Sequence, residues 1–152
     1  MTTMTDITQP IRDATAWAHL PNAAHVDRIL ASLKKNPEKW ATAGDTAGDT
    51  AHTAAWNAAR YEARYAAWDT ARGKAWDAAW GAAWDAARGA VWDAVQDAAW
   101  NTAWDAILAL LAWDDCAYML ELPEDALKLL REAGNEQAIL LSVAANILKE
   151  TL

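Results

Sequence analysis

The chain has 152 residues, a formal charge of −8 and a single cysteine. That length suits one domain, and the acidity argues against a broad basic surface for direct nucleic-acid binding. One cysteine excludes an intramolecular disulfide and fits a reducing cytosol. No run of 18 apolar residues occurs, and the start Met-Thr-Thr-Met-Thr-Asp has neither basic residues nor an apolar stretch, so a cytoplasmic protein without membrane span or leader is expected.

In chain order, residues 1–8 read as frayed and Gln9 to His19 as a short helix with Pro10 in its first turn. Pro21 and Asn22 separate it from a helix over Ala23 to Lys35, where Val26, Ile29, Leu30 and Leu33 keep helical spacing. Asn36-Pro37 ends that helix. Residues 41–50, rich in Thr, Gly and Asp, read as a loop or frayed entry. The central segment, 41–107, is a repeat. Toward its end and through residues 108–152 the composition changes to conventional core residues: Ile107, Leu108, Leu110, Leu111, Met119, Leu120 and Leu122 mark it. Pro123 opens a helix to about Ala133 that Gly134 stops, and a last helix runs from about Asn135 to Glu150. Segments 1–40, 41–107 and 108–152 are read as one domain, the C-terminal helical pair capping the repeat.

The repeat counts in fours. Ala or Val stands at nearly every fourth position from Ala43 to Ala103. From residue 56 on, the next position is large: Trp at 56, 68, 76, 80, 84, 92, 100 and 104, and Arg at 60, 64, 72 and 88. An eight-residue period is superimposed, with Asp69, Asp77, Asp85 and Asp93 alternating with Gly73, Gly81 and Gly89. The alanine content and the lack of proline between Pro37 and Pro123 predict helix. Four residues turn about 400°, so the Trp stripe drifts roughly 40° per repeat and cannot face one neighbour along one straight helix. A single helix over residues 50–113 would also span about 95 Å. The expectation is therefore an all-α protein whose Ala/Trp tetrapeptide (octapeptide) repeat folds back into several packed helices. Breaks or bends are expected near Gly73 and Gly89, with Gly81 a packing glycine. The stripe, including Trp76, Trp84, Trp92 and Trp100, is expected to be mostly core.

The stretch from Ile107 to Leu130, with Trp113-Asp-Asp-Cys-Ala-Tyr and the Pro-Glu-Asp-Ala-Leu helix after Trp-Asp-Ala-Ala units, resembles small bacteriophage proteins of unassigned function. The repeat is also similar to the Ala/Trp/Arg arrays of bacterial immunity proteins. The first resemblance implies a small phage protein acting in the bacterial cytoplasm against host defence. It carries no catalytic residues.

Candidate chemistry centres on Arg60-Tyr61-Glu62-Ala-Arg64-Tyr65, the least degenerate part of the repeat. Indole, phenol and guanidinium faces stack on nucleobases, and Arg also forks onto phosphate. Residues 60–74 hold Arg60, Arg64, Arg72 and Lys74 against Glu62 and Asp69, a local positive excess. Arg60, Tyr61, Arg64, Tyr65, Trp68 and Arg72 are thus the candidate ligand-binding residues. The plainer reading pairs the arginines with carboxylates, Asp69–Arg72 and Asp85–Arg88 having i,i+3 spacing. Asp114 and Asp115 are a paired-carboxylate candidate whose commoner use is helix capping, and Cys116 has nothing nearby to lower its pKa. His19, His25 and His52 fit no metal spacing, and no P-loop, Rossmann, nucleophile-elbow or zinc signature occurs. The expectation is a non-enzyme without cofactor or metal that sequesters a small anionic, nucleotide-type ligand and forms a homo-oligomer. The alternative is an acidic helical inhibitor of a host protein, at the extreme a nucleic-acid mimic using Asp77, Asp85, Asp93, Asp97 and Asp105.

Overall fold

A computed structural model describes residues 16–48, 53–74, 78–94 and 97–151 of the chain. Among them are seven α-helices and no strand: α1 (Ala23–Lys35), α2 (Pro37–Gly48), α3 (Thr53–Lys74), α4 (Ala78–Ala94), α5 (Asp97–Ala112), α6 (Glu124–Glu132) and α7 (Glu136–Glu150). A short 3-10 helix, Ala117–Glu121, links α5 to α6. The all-α fold is the one the repeat predicts.

The hub is α5, which touches α1, α2, α3, α4 and α7. Ala99 and every residue from Thr102 to Ala112 are buried. Its last part, Ala106 to Ala112, is apolar all round, as a helix segment in a core should be. Its C-terminal carbonyls lack intrahelical partners, and distant side chains satisfy them. Asn22 Nδ2 donates to the Leu110 and Trp113 carbonyls at 2.8 and 3.0 Å. Trp80 Nε1 donates to the Leu111 carbonyl at 3.2 Å. Lys74 Nζ donates to the same carbonyl at 3.4 Å and also supplies positive charge at the negative end of the helix dipole.

Helix α1 buries Val26, Ile29, Leu30 and Leu33, as their spacing requires. Before it, Ala16 is in a 3-10 turn and residues 17–20 are turn and bend rather than α-helix, with Trp17 fully buried and its indole donating to Asp27 at 2.7 Å. The rest of the expected Gln9–His19 helix lies outside the described residues. Residues 41–48, expected as loop, are helical and belong to α2. Pro37 starts that helix in the position proline tolerates, and fully buried Trp40 anchors it, donating to Ser32 Oγ at 3.0 Å. Tertiary anchoring outweighs the poor propensity of Thr, Gly and Asp there. The C-terminal pair matches its punctuation: Gly134 takes φ +83° after α6, Asn135 N donates to the Leu130 carbonyl, and the Asn135 side chain caps α7 at Ala138 N. Helix α7 packs against α2, α3, α5 and α6, so it closes the repeat from a deep position.

The repeat occupies most of α2, all of α3 and α4, and α5 as far as Ile107. Trp68 and Trp84 have ring centroids 5.5 Å apart; sixteen residues of unbroken helix would separate them by about 24 Å. Trp84 and Trp104 are 5.0 Å apart, where unbroken helix would give about 30 Å. The chain therefore reverses twice. Gly73 sits at the end of α3, near the first reversal, but Gly89 lies inside α4 and breaks nothing. Gly81 is not a packing glycine, because a Cβ there would meet no atom within 4 Å.

Burial follows the alanines rather than the tryptophans. Ala63, Ala67, Ala71, Ala83, Ala87, Val91, Ala99 and Ala103 are all buried. Two four-residue steps drift only about 80°, so each short helix keeps its alanines on one face, and each reversal resets the phase. Small side chains at a contact let helices approach to the near end of the usual ~8–10 Å. The Trp position lies about 100° further round and flanks the contact. Trp80 and Trp104 are buried, Trp84 and Trp100 half-buried, and Trp68 and Trp92 exposed. This corrects the expectation of a core Trp stripe for Trp84, Trp92 and Trp100; Trp76 lies outside the described residues.

Candidate functional site

The two central candidate arginines face inward. Arg60 Nε and Arg64 Nε each donate to a different oxygen of Asp105, both at 2.5 Å. Asp105 is buried on α5, and the two guanidinium groups, one helical turn apart on α3, share its carboxylate. This charge-assisted clasp ties α3 to α5. It leaves neither arginine as an open anion site, and it removes Asp105 from the surface row of phosphate-mimicking carboxylates. Lys74 is likewise paired, with Asp114 at 2.5 Å. The local positive excess of residues 60–74 is thus largely answered by carboxylates from α5 and the segment after it. Tyr61 and Tyr65 point the other way, 72% and 66% exposed.

The remaining two candidates border a cleft between α3 and α4. Trp68, Ala71 and Arg72 form one wall, and Trp80, Gly81, Trp84 and Asp85 the other, around about 260 Å³. Trp68 stands edge-on to Trp84 at 73°, while Trp80 and Trp84 are tilted by 32° with centroids 5.4 Å apart. The Trp80 indole is fixed by the Leu111 carbonyl, and Trp84 leans on Trp104, so two of the three rings are held from behind. Gly81 leaves one wall without a side chain and keeps the space open. Two charges sit at the rim. Arg72 is largely exposed, with a loose contact to Asp69 at 3.8 Å; Asp85 is exposed on the opposite wall. Flat indole faces with one fork-shaped donor can hold a planar ring and one acidic group.

Trp80, Gly81, Trp84 and Asp85 were not among the candidate ligand-binding residues. The eight-residue Trp-Asp…Trp-Gly unit carries them, but their meeting with Trp68 depends on the chain reversal. The other candidates have ordinary roles. Burial, and next the Asp115 charge, push the Cys116 thiol up to about 12. Its Sγ donates to the Ala109 and Trp113 carbonyls at 3.5 and 3.3 Å. A buried, protonated thiol is a poor nucleophile. Asp114 pairs with Lys74, and Asp115 is exposed. His19 is exposed, His25 is half-buried with no partner for its Nδ1 among the described residues, and His52 lies outside them. No group of three His, Cys, Asp or Glu among the described residues is placed to hold a metal ion, and no described helix is long and apolar enough to cross a membrane.

Comparison of the chain with protein families, curated proteins and solved structures finds no match.

Proposed function

We propose that the protein is a non-catalytic binding protein whose indole cleft takes the flat ring of a small anionic, nucleotide-type ligand. The observation that carries the reading is the cleft itself, three indoles around about 260 Å³ with Arg72 at the rim. That volume is just below the usual ~300–1,000 Å³ of ligand pockets, so it suits one ring system with the acidic group outside on Arg72. Stacking contributes about 1–3 kcal/mol per base, and a charge-assisted bond about 1.5–3 kcal/mol. Several such contacts approach the roughly 8 kcal/mol of micromolar binding. The resemblance to small phage proteins gives the biological setting: sequestration of a nucleotide-type immune signal in the bacterial cytoplasm, by a homo-oligomer.

Titration calorimetry with cyclic and ADP-ribose-type nucleotides tests this. Gly81→Leu fills the cleft from a position where an added Cβ meets nothing; it should keep the circular-dichroism spectrum and abolish binding. Arg72→Ala should weaken binding about tenfold or more. Arg64→Ala, whose guanidinium is occupied by Asp105, should alter stability rather than affinity. No heat from any nucleotide, or parental binding by a folded Gly81→Leu protein, would overturn the proposal and leave the protein-inhibitor reading ahead.

A further inference from the structure

The outer face of α3 is unusual for a helix on the surface of a small domain. Tyr61, Tyr65, Trp68 and Arg72 are all exposed, and their spacing is four, three, four. On a helix they fall within about 60° of one another. Four-three-four is also the d-a-d-a spacing of a coiled-coil seam. Ala58, exposed, continues the seam one step toward the N-terminus as a further a position. Opposite this face, Ala63, Ala67 and Ala71 are buried against the rest of the domain. The helix therefore has two packing faces: its own chain covers one, and on the other it borders the Trp68–Arg72 end, where Trp84 lies 5.5 Å from Trp68.

We propose that the second face pairs with the same face of a second copy, antiparallel, about a two-fold axis beside residues 66 and 67. The proposal rests on the homo-oligomer part of the reading above and gives that assembly its interface, which shares Trp68 and Arg72 with the rim of the cleft. The spacing four-three-four reads identically in both directions. One antiparallel register sets Tyr61 against Arg72 of the second copy and Tyr65 against Trp68 of the second copy, with the reciprocal pairs generated by symmetry. Each seam residue then has a fitting neighbour: a guanidinium on a phenol ring, and a phenol beside an indole. A parallel pairing would instead stack Arg72 on Arg72, a like-charge layer, so charge selects the antiparallel arrangement. Arg72 also comes within reach of Glu62 on the second copy, an acid beside its own Asp69. Each copy carries a formal charge of −8, so salt, by screening that long-range repulsion, should strengthen the dimer.

Sedimentation equilibrium on the full chain, with circular dichroism to confirm folding, is the first measurement. The parent should show a reversible monomer–dimer equilibrium that tightens from low to moderate salt. Tyr65→Glu, outside the ligand cleft, should weaken it by about tenfold or more. Register is read by cross-linking, native Cys116 being buried and silent. The double variant Tyr61→Cys/Arg72→Cys should give a disulfide-linked dimer under mild oxidation, and Tyr61→Cys alone should not. A chain that stays monomeric up to about millimolar concentration overturns the proposal, as does self-linking of Tyr61→Cys alone, the mark of a parallel pair. Nucleotide titration of Tyr65→Glu separates the two readings: monomeric protein that still binds leaves the cleft intact, and a dimer that binds nothing leaves the interface intact.

Discussion

Removing the Asp105 carboxylate should be among the most damaging single changes in the repeat. Asp105→Ala leaves two guanidinium groups facing one another where one carboxylate had bridged them at 2.5 Å. Stripping one partner from a buried ion pair costs about 3–5 kcal/mol. The Arg60 and Arg64 side chains are 17% and 31% exposed against 6% for Asp105. The arginines can thus turn partly to water, which lowers the expected cost to about 3 kcal/mol. For a chain of 152 residues that corresponds to a melting point lower by about 6–12 °C. Asp105→Asn keeps the shape and one acceptor and should lose roughly half as much. Replacing the whole clasp with Arg60→Met, Arg64→Met and Asp105→Leu should recover much of the loss, because it removes the stranded charges. Thermal and urea unfolding followed by circular dichroism measure all three. If Asp105→Ala unfolds within about 1 kcal/mol of the parent, the clasp contributes little. The arginines would then be free to serve a ligand.

The tryptophans should divide by burial. Trp104→Ala should cost about 3–5 kcal/mol, while Trp92→Ala, 62% exposed, should stay within about 0.5 kcal/mol of the parent in the same unfolding assay. Cys116 should resist iodoacetamide in native protein at neutral pH and react only on unfolding. Its thiol is raised in the fold from 9.0 to about 12. Below pH 9 native and unfolded chains both hold the proton, so stability is unaffected. Between pH 9 and about 12 the unfolded chain loses it first, so stability falls as pH rises, and Cys116→Ala should flatten that part of the urea-midpoint profile.

How far the sequence predicts the structure varies by element. Helices α1, α6 and α7 are legible because Leu and Ile at helical spacing declare a face, and Pro123, Gly134 and Asn135 mark the ends. Residues 41–48 are not, because their helicity comes from Trp40 buried against distant elements rather than from local preference. The repeat period is plain, but its phase is easily misread. Tryptophan volume suggests a core stripe, whereas the close-packed faces are built from alanine, and the indoles sit at the edges. The Arg60 and Arg64 partner lies 45 and 41 residues away on another helix, whereas local spacing points to Asp69–Arg72, a loose contact at 3.8 Å, and to Asp85–Arg88. Half of the cleft was visible as Trp68 and Arg72. The other half depends on α4 folding back beside α3, which no proline marks.

The claim beneath both the fold and the cleft is that alanines form the contact surface and push the indoles outward. The stability of Ala83→Leu beside its neighbour Ala82→Leu tests it most directly. Ala83 is fully buried on α4 and Ala82 is exposed. Overpacking at Ala83 should lower stability by about 1–3 kcal/mol, with Ala82→Leu within about 0.5 kcal/mol of the parent. Equal effects at the two positions, or a stabilised Ala83→Leu protein, would contradict the account.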